Sequence, residues 1–307
     1  MAITKIIPGV LDLNATGADK GLKMPSGTEF NRPTDATGQI RNNTNESSQG
    51  SASAQEYYNG TEWKKITNVF PISSNIITVT DTQKFNRNQS TPSDSTRYTY
   101  SLWVKWTSVA TGTNMLIGTG QYPSAVREEM SWDGANSRWI LYFDSGSAGQ
   151  GAWITPSVST PTTGVWYHYC LTKEGTKAPT FYINGTSIGT FTSTQSPKPV
   201  GDGVSTRING GTDAHRINGP QWTTSAGMNA SLAYCQFVDG QLRPPSNFTT
   251  TFGSLTIPAT YSATAWGNNG WQLLFGNPSS IGTDTSGNGN NFSTVPAAIT
   301  GTDSIYY

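Results

Sequence analysis

Residues 97–106, RYTYSLWVKW, alternate without a break. Tyr98, Tyr100, Leu102, Val104 and Trp106 fall on one side of an extended chain, and Thr99, Ser101, Trp103 and Lys105 on the other. Side chains of a strand point alternately to two faces, so this pattern predicts a strand with one face in a core. Related runs follow at SRWILYF, 137–143, and GVWYHYCLTK, 164–173. The latter is apolar on both faces, as in the middle of a sheet packed on another sheet. TFYINGTSIGTF offers two strands joined at Asn184-Gly185, a dipeptide that suits a two-residue hairpin turn. NASLAYCQFVDGQ, 229–241, ends in an Asp-Gly turn, and GWQLLF, 270–275, is the last clear strand. No segment sustains the 3.6-residue apolar period of a helix. The chain is therefore expected to be all-β, a sandwich or barrel of many short strands, and its 10 tryptophans and 11 phenylalanines can fill an inter-sheet core. The polar stretches 107–121, 144–164 and 190–230 read as long rim loops, where function is often carried.

Residues 1–70 differ from residues 71–307. A polar, small-residue stretch, NNTNESSQGSASAQ at 42–55, lies between two candidate strands, GQIRNN and QEYYNGTEWKKI. The second is a hairpin: Asn59-Gly60 makes the turn, and Tyr58 and Trp63 flank it as a cross-strand aromatic pair. A piece this small has too little apolar matter for a core of its own. It is expected to be held by a partner chain or a larger assembly, so 1–70 is assigned as an attachment or oligomerisation segment.

Charge narrows the field further. Charged residues are 12% of the chain, against roughly 25% in ordinary domains, and 19 basic side chains cancel 19 acidic ones. Nothing marks a footprint for nucleic acid or an anionic membrane. No apolar run approaches the ~18 residues that suggest a membrane span, so no membrane insertion is expected. The start, MAITKIIPGVLDLN, lacks the pattern of a signal peptide, and synthesis in a cytoplasm is the expectation. Cys170 and Cys235 have no metal or redox spacing. Both fall in predicted strands, as buried thiols or as a disulfide.

Candidate chemistry is sparse. His168 sits mid-strand and reads as a core histidine rather than a base. Glu128 and Glu129 are adjacent, so in a strand they point to opposite faces. They cannot form the pair of carboxylates ~5–9.5 Å apart that glycoside hydrolysis needs. No nucleophile elbow, metalloprotease motif or phosphate loop occurs, and the chain is expected not to be an enzyme. Residues 201–222, GDGVSTRINGGTDAHRINGPQW, place Asp202, Asp213, His215, Arg216 and Trp222 in one loop. An aromatic ring for stacking with carboxylates for directed hydrogen bonds is a carbohydrate-binding pattern; a solvated or subunit-contacting loop is the other reading. In DTSGNGN, Asp284 offers a carboxylate, and Asn288 and Asn290 offer amide oxygens. The loop reads as a calcium site, the one cofactor the chain suggests, or as a structural Asx/Gly turn. Calcium takes 6–8 oxygens.

Two resemblances add to this. The order Pro25, Gly27, Thr28; Arg32-Pro33; Gly38, Ile40, Arg41, Asn43, Thr44; Glu56, Tyr58, Gly60, Trp63 resembles a segment common in bacteriophage tail-fibre and virion appendage proteins. Here Arg41-Asn42-Asn43 replaces the usual Arg-Tyr-Asn, and the loop before Gln55 is longer. Residues 72–295 resemble the concanavalin A-like or laminin G-like jelly roll of marine-phage structural proteins. The likeness is carried by YSLWVKW, by GVWYHYCLTKEGTKAPTFYINGTSIG, by AYCQFVDGQLRPPSNF and by GTDTSGNGNNF. Hydrolases of that fold often carry Glu-x-Asp-x-x-Glu on one strand, which is absent. The resemblance implies a non-enzymatic virion protein of tail-fibre type. It would dock to other virion proteins through residues 1–70 as a homo-oligomer, a trimer among the options, and present its sandwich to a host-surface glycan. A capsid decoration or head fibre, a polysaccharide depolymerase and a bacterial lectin-like module are the alternatives.

Overall fold

The computed structural model describes residues 26–27, 40–43, 54–58, 61, 63–66 and 76–295, except 122–125, 146–149, 176, 194–204, 212, 221–224, 253–254, 260, 262–265 and 278. The chain divides into two compact units, Met1–Pro71 with Tyr306–Tyr307, and Ile72–Ile305.

In the first unit, β1 (Ser26–Gly27), β2 (Ile40–Asn43), β3 (Ala54–Tyr58) and β4 (Trp63–Ile66) form one sheet in that order. β1 runs parallel to β2, and the other pairs are antiparallel. In the backbone register Tyr58 stands opposite Trp63. Asn59 and Gly60 of the assembly hairpin lie outside the described residues.

The second unit begins with β5 (Ile77–Val79), β6 (Lys84–Arg87), β7 (Arg97–Ser108), β8 (Thr113–Gln121), β9 (Val126–Asp133) and β10 (Arg138–Ser145). Next come β11 (Gln150–Ile154), β12 (Trp166–Glu174), β13 (Thr180–Ile183), β14 (Thr186–Ser187), β15 (Thr192–Ser193) and β16 (His215–Ile217). β17 (Asn229–Asp239), β18 (Thr249–Phe252), β19 (Leu255–Pro258), β20 (Trp271–Leu273) and β21 (Ser293–Val295) complete it. The larger sheet runs β15-β11-β10-β9-β8-β16-β6-β21; the smaller runs β14-β13-β12-β7-β17-β20, with β5 also on β17. The expected alternation of β7 holds: Tyr98, Tyr100, Leu102, Val104 and Trp106 all lie in the main core. Trp132, Trp139 and Leu141 meet them from the larger sheet, with the Trp139 ring edge-on to Tyr169 at 5.0 Å. This is a two-sheet all-β sandwich of the concanavalin A-like, laminin G-like type. Asn184 and Gly185 both take positive φ, 51° and 81°, the geometry of a type I′ turn between β13 and β14.

One expectation changes, and one choice between two readings is decided. The stretches expected as long loops contain β8, β11, β15 and β16. β8, TNMLIGTGQ, is rich in Gly and Thr, and its place is fixed by its neighbours rather than by its own pattern. The cysteines do not pair: both are free thiols. Cys235 faces the main core, and Cys170 lies in a second cluster with Val238, Phe248, Tyr261 and Trp266 on the other side of the smaller sheet.

Candidate functional site on the outer face of the larger sheet

The sequence-derived sugar loop does not form as expected. Asp202 and Trp222 lie outside the described residues. His215 and Arg216 belong to strand β16, between β6 and β8, and their side chains leave it on opposite faces. His215 is fully buried. Its Nδ1 accepts hydrogen bonds from Arg87 Nη1 and Trp271 Nε1, each at 3.0 Å, while Nε2 donates to the Ile208 carbonyl. Burial, with the Arg87 charge beside it, drives its pKa down to about 3. A neutral imidazole with both nitrogens engaged inside the core cannot reach a sugar in solvent, which corrects the expectation for this residue. Asp213 precedes the strand and stands close enough to Arg216 to favour its charge.

The residues of the expected calcium loop do not fit a calcium ion. Asp284 Oδ1 accepts from the N–H groups of Gln272 and Ser286, both at 2.9 Å. Its Oδ2 accepts from Ser286 Oγ at 2.9 Å and Asn290 N at 2.8 Å. Four donors fill the acceptor positions of the carboxylate. Asn288 turns its amide N–H groups to the carbonyls of Gly267 and Gly270, at 2.7 and 2.9 Å. Asn290 Oδ1 accepts from Arg87 Nη2 at 2.8 Å and Ser90 Oγ at 2.7 Å, so a guanidinium occupies the place of a dication. The loop is an Asx/Gly turn that ties the end of the chain to β6.

His168 and Glu128 are also structural. His168 Nε2 is 2.8 Å from Ser101 Oγ, its ring stacks on Trp103 at 5.2 Å, and burial lowers its pKa to about 3. Glu128 points into the sandwich. It accepts from Tyr98 OH at 2.9 Å and from the N–H groups of Arg207 and Ile208 at 2.7 and 3.0 Å, latching residues 207–208 to the sheet.

Glu129 points the other way, and what gathers around it was missed from sequence. The pairing register sets Asn86 opposite Arg216, Arg216 opposite Gly118, Gly118 opposite Glu129, and Glu129 opposite Tyr142. These five positions form one row across five strands, on the face turned away from the core. Four inter-strand steps make it about 19 Å long. Gly118 is its floor: a Cβ there would meet Glu129 Cγ at 3.0 Å and Met115 Sδ at 2.9 Å, so the Glu129 side chain lies across the glycine. Glu129 is 6% exposed. No hydrogen bond reaches its Oε1 among the described residues; the nearest charge is Arg127 Nη1, at 3.8 Å. Burial raises its carboxyl to about 7, against the opposing pull of Arg127 and Arg216. Asn86 Oδ1, at the other end, is likewise a buried acceptor without a hydrogen bond. Arg127 lies over the Tyr142 ring, 4.0 Å from its centroid, and Arg216 Nη1 donates to the Gly120 carbonyl at 3.1 Å.

The sequence signal for this row was the spacing of two. Gly118 and Gly120 share a face, as do Arg127 and Glu129. Adjacency of Glu128 and Glu129 drew attention to the pair rather than to what each face holds.

Residues 78–220 match the Laminin_G_3 family of the Concanavalin A-like lectin/glucanases superfamily. No curated protein sequence matches the chain. Among solved structures, the chain is similar to a heptameric SAP-like pentraxin from Limulus polyphemus, at 15% identity and TM-score 0.38 over 56% of this chain and 79% of that one. It is also similar to domains LG4-5 of the mouse laminin alpha1 chain, at 10% identity and TM-score 0.39 over 61% and 47%. A sialidase from Trypanosoma rangeli shares 20% identity at TM-score 0.33, over 48% of this chain and 21% of the enzyme.

Proposed function

We propose that this concanavalin A-like, laminin G-like sandwich is a non-catalytic binding domain that presents the outer face of its larger sheet to a host-surface glycan. The observation that carries the reading is the row itself, a glycine-floored line of polar side chains on the face of the larger sheet turned from the core, with Asn86 and Tyr142 at its ends only half-buried. A binding rather than a hydrolytic role is supported by the two glutamates. Glu128 is consumed by three donors inside the sandwich, and Glu129 faces away from it, so this pair does not supply the acid and base of glycoside hydrolysis.

The setting we propose is a virion appendage of tail-fibre type, with residues 1–70 docking the sandwich to other virion proteins as a homo-oligomer. The support is the order of motifs from Pro25 to Trp63 in the sequence. Glycan arrays probed with the full chain, with a parallel assay for reducing ends, test the binding role. Array signal without sugar release is the expected result; release of reducing ends would make the protein a depolymerase. Antibody labelling of particles by electron microscopy tests the setting. Labels at the tail support it, labels on the head make the protein a decoration or head fibre, and unlabelled particles end the virion reading.

A further inference from the structure

An Asn-Gly pair is open to spontaneous loss of ammonia, because glycine puts no side chain in the way when its backbone nitrogen attacks the asparagine amide. The sequence has six such pairs, at 59–60, 184–185, 209–210, 218–219, 269–270 and 288–289. The first lies outside the described residues. The fold treats the other five differently. We infer that Asn184-Gly185, the turn between β13 and β14, is a self-modification site. There Asn184 converts to aspartate and isoaspartate in the folded protein, while the other four pairs are preserved.

The reaction needs a free nucleophile, a polarised carbonyl and an amide nitrogen able to leave. Asn184 and Gly185 are both exposed, and a Cβ at Gly185 would meet nothing within 4 Å, so a ring has room to form. Among the described residues the Gly185 N–H makes no hydrogen bond, as befits the second position of a two-residue turn. Asn184 Nδ2 makes none either. Asn184 Oδ1, by contrast, accepts from His168 N at 2.8 Å, and Asn184 N donates to the His168 carbonyl at 2.8 Å. Asn184 is thereby pinned to β12, with an N–H aimed at the oxygen on which charge develops when Cγ is attacked. Beyond it, β14 is two exposed residues, a short edge of the kind that opens locally and lets Gly185 turn toward Cγ. Gly185 N then bonds to Cγ, and Nδ2 leaves with the Gly185 proton as ammonia. Water opens the resulting cyclic imide at either carbonyl. One opening gives aspartate; the other gives isoaspartate, which routes the main chain through Cγ and lengthens the turn by one carbon.

The other pairs lack these conditions. Asn209, Asn218 and Asn269 are fully buried. Their Nδ2 groups donate to Asp239 Oδ1 at 2.6 Å, the Thr80 carbonyl at 2.8 Å and Gln89 Oε1 at 2.9 Å, respectively. The nitrogens of Gly210 and Gly270 are spent on the carbonyls of Arg207 and Gly267. Asn288 is exposed, but the carbonyls of Gly267 and Gly270 hold its Nδ2 in place.

The test keeps the full chain folded in warm, mildly alkaline buffer and, in parallel, unfolded in urea. Peptide mass spectrometry follows both over time, with fragmentation that separates isoaspartate from aspartate. The urea sample gives the rate of each pair without the fold. The folded-to-unfolded rate ratio at Asn184 is expected to exceed that of the other four described pairs by about tenfold or more. Gly185→Ala is expected to slow the folded reaction by about tenfold; if that variant does not fold, the wild-type ratios decide alone. Equal ratios at the five pairs, a higher ratio at any of the other four, or an intact Asn184 in the folded chain once the urea sample has reacted would each overturn the site.

Discussion

The two outer faces of the sandwich are finished in opposite ways. On the smaller sheet, Phe248, Tyr261 and Trp266 cover Cys170 and Val238 with a second apolar cluster. The Tyr261 and Trp266 rings meet edge to face at 5.0 Å. On the larger sheet the row from Asn86 to Tyr142 is polar and floored by glycine. A sheet needs only one covered face to be stable, and the second is free to carry function. Here the chain segment after β17 closes one of them, and the other is the face proposed for binding.

The two faces should respond to pH in opposite senses, and this gives the largest expected effect. His168 lies on the covered side with its pKa lowered to about 3, below its ordinary value near 6.5. Its contribution is full above about 6.5 and is lost as pH falls toward 3, up to about 5 kcal/mol. His168→Gln should therefore flatten part of the acid limb of a stability-against-pH curve; an unchanged acid limb would remove His168 from the account. The next effect is mechanical. Trp266→Ala should cost about 3–5 kcal/mol in denaturant unfolding, and a loss under about 1 kcal/mol would mean that the covered face does not depend on its lid. Glu129, on the polar side, has its pKa raised to about 7. A raised carboxyl is favoured by folding while protonated, so its contribution is full below about 4.5 and fades as pH rises through 7, roughly 3 kcal/mol at most. Glu129→Gln should abolish that decline, which a urea series from acid to neutral pH would read. Smallest is Tyr142→Ala. Removing the ring under Arg127 should lower stability by only about 0.5–1 kcal/mol while weakening saccharide binding. A variant that melted like Trp266→Ala would make the polar face a structural one. Asp284 gives a control outside both faces: a chelator should leave the melting temperature unchanged, whereas Asp284→Ala, by stranding its donors, should cost about 1–3 kcal/mol.

How much was legible in sequence follows from what sets each element. β7 and β13–β14 declare themselves, because strict alternation and an Asn-Gly turn are local signals. β16 does not: three residues in a run of Gly, Asn and Asp become a strand only because β6 and β8 arrive on either side. That is why His215 and Arg216 looked like loop residues, although one is in the core and the other in the row. The row itself is a property of register across five strands, from β6 and β10 at its ends to β16, β8 and β9 between them. No window of sequence contains it. The turn at Asp284 was legible as a turn, but the donors that fill its carboxylate come from β20 and from the turn's own backbone and its Ser286 hydroxyl. The family match shows the same limit, since it ends at residue 220 while β17, between β7 and β20, completes the smaller sheet.

Strand β6 has a further consequence, which concerns birth rather than function. Its two neighbours are β16 and β21, and its Arg87 is tied to His215, 128 residues later, and to Asn290, 203 residues later. On the ribosome, β6 therefore emerges with both edges unpaired; one edge waits for β16 (His215–Ile217) and the other for β21 (Ser293–Val295). Contacts this distant in sequence make folding slow, and an unpaired strand invites wrong partners in the meantime. Arg87 and Lys84, charges at the two ends of a four-residue strand, discourage such pairing during the wait. Yield of this protein should thus depend more on chaperone supply and temperature during synthesis than on the stability of the finished sandwich.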